Sequence, residues 1–372
     1  MSTARQRNPL RALTELGQSL WLDDIRRIWL RDGTFLRLID EDGLAGVTSN
    51  PAIFAKAIES GAEYRSDIES LARKGVGSGA IYESLALADV RAAADLLRPV
   101  YQSRAHHDGF VSLEVSPHLA DDTEATLREA RRLWAAFDRP NAMIKVPATR
   151  AGLPAIRTLI AEGVNVNVTL LFGLTRYREV VDAFLSGLEQ RAREGAPLDR
   201  VASVASFFVS RIDTLVDKKL DALGTPEARR LRGQAAIASA RCAYGVMQEW
   251  MASERWSRLA DRGARVQRLL WASTSTKDPA YPDTKYVEPL IGPHTVNTMP
   301  RSTLDAYRDH GQPALRVTDD PDGARAVLRE LESLGIDPEA VRHQLEREGV
   351  RKFIEPFDEL HAALARFAQK AS

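Results

Sequence analysis

The 372-residue chain is 44% hydrophobic and 27% charged, an ordinary balance for a globular fold. Lys+Arg and Asp+Glu are equal at 51 each, so the formal net charge is +0, which argues against general affinity for nucleic acid or acidic membranes. Cys242 is the only cysteine, which excludes an internal disulfide and a cysteine metal cluster, and no apolar run is long enough to cross a bilayer.

Residues 1–8 read as a loose arm without the apolar core of a signal peptide, so a cytoplasmic location is expected. Pro9 to Leu16 reads as a short helix with Asn8 as its cap and Pro9 at its first position. Ser19-Leu20-Trp21-Leu22-Asp23 reads as a first strand ending on a carboxylate. From Asp24 to about Ile39 the apolar residues fall at helical spacing, with Gly33 as a divider and Gly43 as a turn. Ala45 to Pro51 is a short second strand running into a polar loop, and helices follow to about Leu97. The glycine-rich stretch Gly75 to Gly79 follows no strand, so it reads as a loop rather than a dinucleotide fingerprint.

Phe110 to Val115 is a third strand with an acid near its end, closed by Pro117. Thr123 is the expected cap of a helix from Glu124 to Phe137. Met143, Ile144 and Val146 suit a buried fourth strand, which Pro147 is expected to end at Lys145 or Val146. Val164 to Leu170 alternates, so Asn165, Asn167 and Thr169 share one side of a fifth strand. Val201–Phe208, Gln267–Ser273 and Thr295–Thr298 read as strands six to eight. Helices fill Thr175–Arg193 and most of Asp213–Gly263, and Pro321–Lys370 reads as two or three amphipathic helices packed outside the sheet.

Eight strands alternating with helices argue for an α/β fold, a (β/α)8 barrel with additional N- and C-terminal helices, with an open doubly wound sheet as the alternative. The expected division is residues 1–18 as arm and short helix, 19–315 as barrel, and 316–372 as C-terminal helices. Asp23, Asn50, Glu114, Lys145, Asn167, Thr169 and Ser206 all fall at or near strand ends, which in a barrel converge on one mouth. A lysine dried by burial there frees an amine to attack a carbonyl, and two carboxylates supply the proton transfers of Schiff-base chemistry. The same charges also read as a structural cluster in which Asp23 and Glu114 simply pair with Lys145. The asparagines suit sugar hydroxyls. Ser206 and Arg211, five apart across a strand end and a helix start, suit a phosphate, with Lys277 as a second cation. Among the seven histidines, His106 and His107 are adjacent in an expected loop, and His118 follows Glu114 by four and precedes Asp121 and Asp122; the local pattern is too sparse for a zinc or manganese site, so no metal is expected.

The chain resembles the transaldolases of the longer bacterial type. The resemblance is carried in order by Gly46-Val47-Thr48-Ser49-Asn50-Pro51, Ser112-Leu113-Glu114-Val115-Ser116-Pro117, Ile144-Lys145-Val146-Pro147-Ala148-Thr149 and Asn165-Val166-Asn167-Val168-Thr169-Leu170. It continues through Ser206-Phe207-Phe208-Val209-Ser210-Arg211, Trp271-Ala272-Ser273 and Thr295-Val296-Asn297-Thr298-Met299-Pro300. It implies transfer of a dihydroxyacetone unit from sedoheptulose 7-phosphate to glyceraldehyde 3-phosphate, in the pentose phosphate pathway. It also implies Lys145 as the Schiff-base lysine and Asp23 as the acid–base residue. Glu114 is implied to work through a water that Thr169 helps to hold. Thr48, Asn50 and Asn167 are implied to bind substrate hydroxyls, and Ser206 and Arg211 to bind phosphate. An arginine that shorter members carry after the Ala-Ser piece is absent here, and Lys277 is the candidate replacement. Asp24 follows Asp23, and strand alternation places only one of them inside; Asp23 is favoured.

No cofactor is expected, because the lysine itself draws the electrons. The expected partners are sugar phosphates, with neither nucleic acid nor membrane, and the helices after Leu304 are candidates for a homodimer face. Two other readings fit the same residues: an aldolase acting on fructose 6-phosphate, and a barrel that only binds a phosphosugar. Phe208 brings no hydroxyl to protonate a three-carbon enamine, which favours transfer.

Overall fold

The computed structural model describes residues 8–371, with side chains through residue 367; of the arm read at residues 1–8, all but Asn8 lies outside the described residues. Eight strands close into a parallel barrel in sequence order: β1 Gln18–Leu22, β2 Gly46–Thr48, β3 Phe110–Glu114, β4 Ala142–Pro147, β5 Val166–Leu171, β6 Ser203–Phe208, β7 Arg268–Ala272 and β8 Thr295–Met299. β1 pairs with β8 from Gln18↔Thr295 to Leu22↔Met299, which closes the ring and excludes the open sheet. The strands are buried along almost their whole length, as a sheet covered by helices on the outside and packed with side chains on the inside requires.

Register sets the functional geometry. Glu114 lies beside Lys145, and Lys145 beside Asn167, so three polar residues form one row across β3, β4 and β5. Thr169 lies one inward position higher, beside Pro147. Contrary to expectation, Pro147 is the last residue of β4 rather than a stop before it. The Lys145 carbonyl accepts from Val115 N, so that edge of the backbone faces β3. Two residues on, Pro147 faces the same way, where β3 has already ended, and its missing N–H breaks no ladder bond.

Helix boundaries follow local chemistry. Asn8 caps Pro9–Glu15 by accepting from Leu10 N. Gly33, at φ 82°, separates the helices Arg27–Arg31 and Thr34–Asp42. The expected cap at Thr123 is replaced by Asp122, whose carboxylate accepts from Ala125 N at 2.9 Å. Thr123 is instead the first helical residue, and its hydroxyl donates to Ala151 O at 2.6 Å. β2 contains Gly46 because a Cβ there would fall inside the Trp21 indole of β1.

The C-terminal region differs from simple outer packing. After helices Arg301–His310 and Pro321–Ser333, a 34-residue helix, Pro338–Ala371, runs over the C-terminal mouth of the barrel. Gly349 permits the approach: a Cβ there would lie 3.0 Å from Leu170 at the end of β5. Farther along, His118 Nε2 and Asp358 Oδ1 lie 2.7 Å apart, and Phe357 meets Tyr82 edge-on with ring centroids 5.5 Å apart. Pro356 stands inside this helix and leaves the carbonyl four residues earlier without its usual donor.

Candidate active site

Lys145 projects from β4 into the C-terminal half of the barrel and is 3% exposed. Its Nζ lies 3.2 Å from Glu114 Oε2 and donates to the Ser49 carbonyl at 3.3 Å. Above it opens a cavity of about 180 Å³, lined among others by Asp23, Thr48, Asn50, Thr169 and Arg211. A larger open groove, of about 1110 Å³, runs between the first helix and Asp305–Pro313, but no strand end reaches it.

Asp23 stands one residue past β1, fixed by its backbone N–H donating to Met299 O at 2.8 Å. The Thr48 hydroxyl donates to Asp23 Oδ1 at 2.7 Å, and a second hydroxyl, of Thr298, lies 2.7 Å from Thr48 Oγ1. Asp24 pairs with Arg26 at 3.4 Å outside the cavity, so of the two neighbouring acids only Asp23 faces Lys145's chamber. Glu114 forms the ion pair that a purely structural cluster would require, but Asp23 forms none with Lys145. Burial pushes both carboxyl groups above the ordinary carboxylate range, against the opposing pull of the Lys145 charge.

The polar row is layered. Asn167 is fully buried beneath the cavity: Nδ2 donates to Ser112 Oγ at 3.0 Å, and Oδ1 accepts from Ser206 Oγ at 2.7 Å. Ser206 lines the cavity itself, so a ligand meets Asn167 through it. Asn165, read as sharing that side, instead ties strand beginnings together, donating to Ala142 O and accepting from Ala202 N. Asn50 both lines the cavity and caps helix Pro51–Ser60, accepting from Ile53 N at 3.0 Å. Glu114 Oε1 and Thr169 Oγ1 are buried without a hydrogen-bond partner in the described protein.

Cations occupy the rim. Arg211, in the first turn of helix Ser210–Leu223, has a buried Nη1 without a hydrogen bond and lies over the Phe208 ring at 5.2 Å. Lys277 faces the same chamber and donates to Ser275 Oγ at 2.6 Å. Burial lowers both cations' pKa, and for Lys277 the neighbouring Arg211 adds to the effect. Ser206, read with Arg211 as one phosphate seat, lines the same cavity as Arg211 and turns its hydroxyl to Asn167.

Phe353 was missed by the sequence reading. It comes from the long C-terminal helix, is 3% exposed, and its ring centroid lies 5.5 Å from Lys145 Nζ and 5.9 Å from the Arg211 guanidinium. Thr298, Ser273 and Ser275 also line the cavity. Thr298 had a signal, as the last polar residue of an alternating strand before Pro300; Phe353 had none beyond helical periodicity.

The family model described as "Transaldolase/Fructose-6-phosphate aldolase" matches residues 20–364. A protein of Thermobifida fusca (strain YX) named "Transaldolase" is 52% identical over 368 residues, 98% of each chain. Another of that name, from Parafrankia sp. (strain EAN1pec), is 52% identical over 353 residues, covering 95% of this chain and 96% of its own. "Transaldolase 1" of Streptomyces avermitilis is 51% identical over 357 residues, with 96% and 94% covered. With Lys145, Glu114 and Asp23 gathered at the mouth of a closed parallel barrel and these matches spanning nearly its whole length, the chain belongs to the transaldolase/fructose-6-phosphate aldolase family.

Proposed function

We propose that the chain is a transaldolase that moves a dihydroxyacetone unit from a ketose phosphate, sedoheptulose 7-phosphate, to glyceraldehyde 3-phosphate through a Schiff base on Lys145. The products are erythrose 4-phosphate and fructose 6-phosphate, which places the enzyme in the pentose phosphate pathway. The observation that carries the reading is the Lys145 amine, dry, 3.2 Å from a carboxylate and opening into a chamber with a second, separate carboxylate.

The Lys145 amine adds to the C2 carbonyl of the ketose, and loss of water from the carbinolamine leaves an iminium. Glu114 moves the protons of these steps through one water, for which Glu114 Oε1 and Thr169 Oγ1 are the two unpaired partners. Asp23 then removes the proton of the C4 hydroxyl, the C3–C4 bond breaks, and its electrons pass into the iminium to give an enamine. The aldose leaves. An acceptor aldehyde enters, the enamine carbon attacks it, and Asp23 returns the proton to the new alkoxide. Hydrolysis of the iminium frees the product. Thr48 holds Asp23 in place, Asn50 and the Ser206–Asn167 pair receive hydroxyls, and Arg211 with Lys277 receives the phosphate.

Transfer is favoured over release of the three-carbon unit because Phe208, which lines the chamber, presents carbon where an aldolase would need a proton donor. Borohydride reduction in the presence of fructose 6-phosphate is expected to fix the sugar fragment on Lys145, and Lys145→Ala to lose turnover with its fold intact. An unlabelled Lys145 in a protein that still binds the sugar would instead support a binding module. Free dihydroxyacetone formed at the rate of turnover would support the aldolase.

A further inference from the structure

The N-terminal mouth of the barrel, opposite Lys145's chamber, carries a second concentration of charge. A cavity of about 180 Å³ opens there, with His107, Arg265, Arg268 and His294 around it and Phe110 and Met143 as an apolar floor. Arg268 reaches into the barrel, donating to Ser19 Oγ at 2.7 Å and approaching Asp108 Oδ1 at 3.4 Å. Asp108 is already engaged: it also accepts from Trp21 Nε1 at 2.8 Å, from Arg104 Nη1 at 3.2 Å, and from the Ser19 hydroxyl.

Arg265 differs from its neighbours. It is half-buried and forms no ion pair with a carboxylate among the described residues. Its Nη1 donates to the His106 carbonyl at 2.5 Å, and its other nitrogens make no hydrogen bond to the described protein. Burial holds its guanidinium below the ordinary arginine range. Nearby, Arg104 and Arg268 share Asp108, and Arg200 lies beside the exposed Asp199, so both carboxylates are paired with other guanidiniums. The surrounding backbone is in the left-handed region at Ala105 (φ 48°), His106 (φ 65°) and His294 (φ 57°), a conformation that costs non-glycine residues free energy. A half-buried guanidinium with no carboxylate in ion-pair contact, over an apolar floor, leaves donors free for a small dianion.

We propose that this cavity is a second anion site, taking a phosphoryl dianion between Arg265 and Arg268 with His107 and His294 at its edge. It lies at the end of the barrel away from Arg211 and Lys277 and does not depend on the reaction proposed above. An anion held there neutralises Arg265 and strengthens the folded state by mass action.

The test uses the full chain at constant pH, following the imidazole proton–carbon resonances of His107 and His294 by NMR. Inorganic phosphate is titrated into the unmodified protein, into Arg211→Gln, which weakens phosphate binding at the catalytic mouth, and into Arg265→Gln. Saturable shifts that persist in Arg211→Gln and weaken about tenfold or more in Arg265→Gln support the site. Shifts that are absent, unsaturable, or equal in Arg265→Gln mean an adventitious ion only and overturn it. Should Arg265→Gln fail to fold, His294→Asn, which tolerates the left-handed backbone, takes its place and must also weaken binding; unchanged affinity overturns the proposal. A parallel titration with glycerol 1-phosphate separates the sources. Tighter binding than inorganic phosphate supports an ester as the natural occupant, and weaker saturable binding supports the free ion.

Discussion

At the residue scale, two carboxylates near one lysine are given different work by their contacts. Glu114 touches the amine, and Asp23 is separated from it and oriented by a threonine. Because burial raises both carboxyl groups, each holds its proton at a pH where an exposed acid, at about 4, would have lost it. The sign for stability follows: between the ordinary and the raised value the folded state binds more protons, so stability falls as pH rises through that window and the penalty is complete above it. For catalysis, Asp23 must be ionised to take the C4 proton, so the acid limb of kcat is expected above the ordinary carboxylate range. Asp23→Asn should lower kcat by about 10²–10⁴-fold and remove that limb, measured as a pH–rate profile; an unchanged profile would reassign the base. The rim cations carry a penalty of the same kind, since burial lowers the pKa of Lys277 while Arg211 crowds it. Lys277→Met is therefore expected to raise KM for phosphorylated sugars about tenfold or more without lowering the melting temperature. A fall in melting temperature with unaltered KM would make Lys277 a structural residue.

At the element scale, the strands were the legible part of the chain. Lys145, Glu114 and Asn167 could be placed because period-two alternation and short apolar runs define a buried strand, and parallel pairing then aligns neighbours. Pro147 and Thr123 were misread for one reason. A strand or helix end depends on which neighbour is present at that level, and a single chain segment does not contain that information. The same holds for Phe353. Periodicity in Pro338–Ala371 shows that one face is buried, but not that it is buried against a lysine more than two hundred residues earlier. The element therefore carries its own prediction. Phe353→Ala should cost about 3 kcal/mol of stability by leaving a cavity, and should admit water beside the enamine. Dihydroxyacetone release relative to transfer, measured at equal turnover, is expected to rise; a stability loss without any change in that ratio would limit Phe353 to packing.

At the scale of the whole molecule, closure is a long-range event. β1 meets β8 through Gln18 and Thr295, and the last helix packs on the helices that follow β2. Contacts so distant in sequence slow folding, because the connecting loop must close before the contacts stabilise it. After dilution from denaturant, far-UV circular dichroism is expected to recover before turnover does, the lag being the docking of Pro338–Ala371; coincident recovery would show that the helix docks with the barrel in one step. The chamber takes its acid from position 23 and its wall from position 353. A polypeptide stalled between positions 145 and 353 thus has the lysine but not the room in which it works. Turnover in a cell extract consequently doubles as a census of chains completed past that wall, blind to every copy that stops short of it.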